Sequence, residues 1–172
     1  MPPAPHHELL ALPPHAVGEI IDGVLCIAQP RLDRARVRTM LCGGLGLGLR
    51  SDWLVLLRIE LHLHDDVLVP DLSGWHRERI SEMRSEDAYV TLTPDWVCEM
   101  PTRSTDRTRK LVIYARERVP HVWFIDPATR TLEVMRLDGD LYRVVLEAKG
   151  DEVVRAEPFD AIELELATLW AL

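Results

Sequence analysis

A charged carboxylate inside an apolar, strand-forming run is costly unless something neutralises it, and a divalent cation is the usual neutraliser. The chain carries two such runs, Val69-Pro70-Asp71-Leu72 and, with its acid 28 positions after Asp71, Val97-Cys98-Glu99-Met100. A third segment, from Ser104 to Ala115, reads as a helix with basic residues at its start and contains Lys110. An Asp on one strand, a Glu on the next and a Lys nearby supply what metal-assisted cleavage of a phosphodiester needs. A nuclease is therefore the first expectation. Strand alternation places Glu99 on the face of Val97, with Trp96, Cys98 and Met100 on the other. The competing role for Asp71 is structural, since an Asp ahead of Ser73-Gly74 is a common turn residue.

Composition narrows the setting. A length of 172 residues corresponds to about one domain, taken here as 1–172, and 47% apolar with 28% charged residues fits a globular chain. The longest central apolar run, Trp53 to Leu57, is far short of the ~20 residues of a membrane span. The Pro- and His-rich start has no signal-peptide pattern, and Cys26, Cys42 and Cys98 are odd in number and widely spaced in apolar contexts. Reduced thiols in a cytoplasmic protein are the expectation. A formal charge of -8 argues against nonspecific coating of nucleic acid, yet active-site acids are part of that count. Between Arg103 and Arg118 stand six basic residues against two acidic ones. That concentration is either a contact surface beside the acidic site or a solvated helix face.

Hydrophobic period and turn residues predict a mixed α/β fold, a central mixed sheet flanked by helices with extra β-hairpins. Glu19 to Ile27 reads as a hairpin about Asp22-Gly23. Leu32 to Leu49 carries apolar residues at helical spacing, weakened by the glycines from Gly43 to Gly48. Trp53–Glu60, Leu61–His64 and Val67–Leu72 read as strands with Asp65-Asp66 as a turn, and Trp96 to Met100 as another. Asp106 to Arg118 reads as a helix, His121 to Asp126 as the most apolar strand, and Thr131 to Leu146 as a hairpin through Asp138-Gly139-Asp140. The tail turns helical around Leu166 to Trp170.

Within the second predicted helix, Lys110 lies four residues after Asp106 and four before Tyr114, so the three share a face. Either Lys110 reaches the acidic site, or it makes a surface pair with Asp106 worth about 0.3–0.5 kcal/mol. Leu111, Val112, Ala115 and Val119 are expected to pack on the sheet. His62 and His64 share one strand face and are read as exposed edge histidines rather than half of a metal site. No residue order points to a covalent nucleophile.

The chain resembles the Uma-type restriction endonucleases, a bacterial branch of the PD-(D/E)XK nuclease superfamily, over nearly its whole length. The matching segments are Glu19-Ile20-Ile21-Asp22-Gly23, Val69-Pro70-Asp71-Leu72, Glu99 at a strand end, Asp106-Arg107 with Lys110, Tyr114-Ala115, and the run from Val119 to Pro127. The resemblance implies a restriction-endonuclease-like core and a magnesium-dependent site, with Mn²⁺ as substitute. It makes Asp71 and Glu99 the metal ligands, Glu19 an additional acid and Lys110 the site lysine. Three departures are visible: the loop between Glu99 and Asp106 is shorter than the family's, Arg34 stands where a His is common, and Pro101 stands where the wider superfamily places its lysine.

The expected function is a magnesium-dependent endonuclease acting on DNA. Asp71 and Glu99 hold the metal, Lys110 orients or deprotonates the attacking water, and Arg103, Arg107 and Arg34 contact nucleic acid. DNA is the expected partner, a homodimer is left open, and no membrane is expected. The alternative is a catalytically silent nuclease-fold module that binds nucleic acid or a protein partner.

Overall fold

A computed structural model describes residues 6–28, 30–45, 52–84, 86–101 and 104–171. Strands β1 (Val17–Ile21) and β2 (Val24–Ala28) pair antiparallel, and the turn residues between them, Asp22 and Gly23, sit at φ 50° and 71°. Two consecutive positive φ values make the primed turn whose twist matches the strands it joins, which is why Asp-Gly stands there. After helix α1 (His6–Leu10) and this hairpin comes helix α2 (Leu32–Gly44). It is shorter than the spacing suggested, because the glycines end it and Leu45 caps it. Residues 46–49 of the predicted helix lie outside the described residues.

Strand β3 (Trp53–Leu57) stops three residues before the predicted Glu60, since Arg58 turns the backbone to φ 49°. Strands β4 (Leu61–Leu63) and β5 (Asp66–Leu68) form a second hairpin. Its turn is His64-Asp65 and not Asp65-Asp66, with His64 taking φ 55°. The expected strand Val67–Leu72 is in fact two strands in different sheets. The chain leaves β5, passes through Val69-Pro70-Asp71 and enters β6 (Leu72–His76), so Ser73-Gly74 is mid-strand and not a turn. A proline has no N–H for a ladder, and here it marks the crossing.

The hairpins build a four-stranded sheet in the order β2-β1-β5-β4. The larger sheet runs β10-β9-β8-β7-β6-β3, adding β7 (Trp96–Glu99), β8 (His121–Asp126), β9 (Thr131–Asp138) and β10 (Leu141–Lys149). All its neighbours are antiparallel except β7 and β8, which run parallel and are joined through helix α3 (Ser104–Arg116). A 3₁₀ turn (Arg77–Glu82), a two-stranded ribbon of β11 (Val153–Val154) and β12 (Leu164–Glu165), and helix α4 (Leu166–Trp170) complete the chain. The mixed α/β class with a large mixed sheet is as the sequence predicts.

Strand alternation sorts the core onto two faces. Trp96, Cys98, Met100, Trp123 and Ile125 lie under Val37 and Leu41 of α2 and under Phe159, Leu166 and Leu169 of the tail. Val97, Val122 and Phe124 lie under Ile113 and Tyr114 of α3 and under Ile21, Leu61 and Leu68 of the smaller sheet. Glu99 takes the side of Val97, as alternation required, and so faces α3. On that helix the buried row is Lys110, Ile113 and Tyr114, at i, i+3 and i+4, whereas Val112 is 65% exposed and does not pack on the sheet. Among the described residues no helix is long and apolar enough to cross a membrane.

Candidate active site

The site lies where the chain crosses between the sheets. Glu19 comes from the middle of β1, Asp71 from the crossing segment, Glu99 from the end of β7 and Lys110 from α3. Lys110 Nζ donates to both oxygens of Glu99, at 3.0 and 2.9 Å, and lies 2.7 Å from Glu19 Oε1. The Tyr114 hydroxyl donates to Glu99 Oε1, and the Val69 amide donates to Glu19 Oε1 at 2.7 Å. Asp71 is held separately: Arg38 Nη1 reaches Oδ1 at 2.5 Å and the Met100 amide donates to Oδ2 at 2.8 Å. Of these three acids and two bases, all nearly buried, Arg38 pairs with Asp71 alone while Glu19 and Glu99 share Lys110.

Burial sets their protonation. Loss of solvent raises the Glu99 carboxyl to about 7, against the opposing pull of Lys110, while Glu19 and Asp71 push it the same way as burial. For Lys110, burial alone would favour the neutral amine, but Glu99 and Glu19 outweigh it and hold the ammonium above its ordinary range. Lys110 is therefore a charged group, and its partner is not Asp106. Of the two roles left open for Lys110, the surface pair gives way to the reach into the acidic site.

Four of the sequence-predicted residues, Glu19, Asp71, Glu99 and Lys110, line one narrow cavity of about 70 Å³, and Arg34 lines it too. Arg107 is placed elsewhere: its guanidinium pairs with Glu133 and lies 4.3 Å over the Phe124 ring centre. Arg103 lies outside the described residues. The basic stretch that follows the site is largely engaged within the molecule. Arg109 pairs with Asp22 at 2.9 Å and Arg116 with Asp66 at 3.0 Å, which fastens α3 to both hairpins, and Arg118, just past the helix, pairs with Asp140 of the β9–β10 turn at 2.9 Å. His62 meets Glu60 and stacks on Tyr89, and His64 meets Glu117, so each histidine has a local partner.

Arg38 and Arg58 are the site residues that sequence reading missed. Arg31, Arg34 and Arg38 recur at i, i+3 and i+7, a basic row along one side of α2 and its cap, and that row was the available signal. Carboxylate oxygens are the ligands a hard divalent cation takes. Among the described residues no three His, Cys, Asp or Glu side chains are gathered closely enough to cage one, because Lys110 and Arg38 stand between the acids. Magnesium needs only one or two carboxylates with its waters, so Asp71 and Glu99 fit such an ion without a three-acid cage.

Comparison with known proteins agrees with this architecture. The family model Uma2, described as "Putative restriction endonuclease", matches residues 7–168. A crystal structure of a "putative nuclease belonging to DUF820" from Anabaena variabilis superposes with a TM-score of 0.77 at 20% identity, covering 95% of this chain and 96% of that one. At that identity the likeness speaks for the fold. No curated protein matches the chain.

Proposed function

Because the chain belongs to the Uma2 family, we propose that it is a nuclease that hydrolyses phosphodiester bonds in DNA with the help of magnesium. The observation that carries this reading is Lys110, a buried cation bridging Glu19 and Glu99 and lining one cavity with Asp71. Asp71 and Glu99 would hold the metal, which supplies an activated water and offsets charge on phosphorus. Glu19 and Tyr114 keep Lys110 and Glu99 aligned, and the closed surroundings strengthen every charge inside. As water adds to phosphorus and gives up a proton through solvent to the departing oxygen, one P–O ester bond breaks with its electron pair on that oxygen, and negative charge grows on the phosphoryl oxygens on the way. A charged Lys110 stabilises that charge and orients the water. Its elevated proton affinity favours this role over that of general base.

Single-turnover cleavage tests the reading, with Mg²⁺ or Mn²⁺ and duplex DNA, single-stranded DNA and RNA as substrates. Asp71→Ala and Glu99→Ala are each expected to abolish cleavage, and Lys110→Ala to slow it by a factor on the order of 10² or more while binding in Ca²⁺ changes little. Full cleavage by either acid variant removes that residue from the site. A second reading, a catalytically silent module, is favoured by the pairing of Asp71 with Arg38 and of Glu99 with Lys110, which leaves both acids neutralised without a metal. It expects neither cleavage nor a Mg²⁺-dependent rise in Tm.

A further inference from the structure

Beside the carboxylates, the cavity has an arginine wall. Arg34 and Arg38 from α2 and Arg58 from the turn after β3 all line it. Arg38 is committed to Asp71 at 2.5 Å. Arg34 and Arg58 are half-buried, and neither guanidinium makes an ion pair or hydrogen bond among the described residues. Two half-buried cations crowded beside a third carry a desolvation and repulsion cost that an anion would remove. Burial, and after it Arg38, holds the Arg58 guanidinium below its ordinary proton affinity. The site's other flank has the opposite character: a cleft of about 690 Å³ that shares Pro101 with the cavity is lined by four acids, Asp126, Glu133, Glu147 and Glu152, against Arg107 and Lys149. A polyanion meeting this molecule is repelled on the β9–β10 side and attracted on the α2 side.

We propose that Arg34, Arg38 and Arg58 form a phosphate subsite beside Asp71, which seats a phosphodiester of the nucleic-acid strand so that the strand runs along α2 and away from the β9–β10 cleft. The nuclease reading supplies the identity of the anion. Guanidinium forks match two phosphate oxygens at once, and a Lys at either position would supply charge without that geometry. The subsite works before metal arrives, because its cations are already in place. Phosphate contacts from α2 also replace those that the basic start of α3 no longer offers, since Arg107 is spent on Glu133.

The test is fluorescence anisotropy of a labelled oligonucleotide titrated with the full chain in EDTA, where cleavage cannot occur. Arg34→Ala and Arg58→Ala are each expected to weaken binding roughly tenfold and to lower the slope of log affinity against log salt by about one. Arg143→Ala removes the same charge from the exposed face of β10, where Arg143 pairs with Asp138, and is expected to change binding less than about twofold. Arg34→Lys and Arg58→Lys should recover the salt slope but not the full affinity. Binding by the two alanine variants that matches Arg143→Ala overturns the subsite, as does a metal-free wild type that does not bind. Inorganic phosphate is the second probe: if it raises the Tm of the wild type but not of the variants while oligonucleotide binding ignores the substitutions, the wall holds free phosphate and the proposal fails. Metal-dependent cleavage that is indifferent to Arg34 and Arg58 sinks the subsite alone. Arginine-dependent binding without any cleavage sinks the nuclease reading alone.

Discussion

Glu99 is a fully buried acid, and its acid–base behaviour can be read without metal. Burial raises its carboxyl from 4.5 to about 7, so the fold favours the protonated form. A group raised in this way contributes stability that is fully present below pH 4.5 and is lost as pH rises through about 7. Glu99→Gln removes that titration. In EDTA, the Tm of the variant is expected to gain on the wild type steadily from pH 4.5 to 7. A gap that stays constant would mean that Glu99 titrates in its ordinary range. Asp71, Glu99 and Lys110 were legible because an acid in an apolar strand needs a counter-charge and the next helix offered one. Arg38 was not legible: within a row of helix arginines, the one at the border of Val37 and Leu41 looks like its solvated neighbours until the packing face is known. Arg58 enters the cavity only because its backbone turns to φ 49°, a conformation unusual enough for a side chain of that size that propensity gives no warning of it.

At the scale of elements, the large sheet depends near its β3 edge on the absence of a side chain. A Cβ added at Gly74 of β6 would sit 3.1 Å from Trp96 Cε3 and 3.2 Å from Trp53 Cε3, so both neighbouring strands lean their indoles over the gap. Gly74→Ala is expected to cost about 1 kcal/mol by overpacking, lowering Tm by a few degrees in a thermal melt. An unchanged or higher Tm would show that the indoles can move aside and that the lost backbone entropy of glycine dominates. Sequence reading ended the preceding strand at Leu72 and held a turn at Ser73-Gly74 as the competing role for Asp71. What decided otherwise was a tertiary need for space beneath two tryptophans. The β1–β2 hairpin, the strand His121–Asp126 and the β9–β10 hairpin were legible because their turns and apolar runs are local signals. The split between β5 and β6 was not, since it depends on which sheet each half joins.

The whole molecule is a sheet with a different partner on each face, and the tail supplies part of one of them. Leu166 and Leu169 of α4, with Phe159, cover the same core as Val37 and Leu41 of α2, the helix that carries the arginine wall. Leu169→Ala is expected to cost about 2–5 kcal/mol and to lower the melting of the entire chain in one transition, with amides of α2 and α3 losing hydrogen-exchange protection together. Two separated transitions would mean that the tail and α2 unfold apart from the rest. Lys110 ties these parts together in another sense: it bonds β1 of the small sheet through Glu19 and β7 of the large sheet through Glu99. On the nuclease reading proposed above, a descendant that gave up cleavage would still be under selection to keep all three residues, because losing any one strands a buried charge at the joint. Arg34 and Arg58 have no such second duty and would drift first. On that same reading, a worn arginine wall around an intact Glu-Lys-Glu bridge is what a relative that no longer handles nucleic acid is expected to carry.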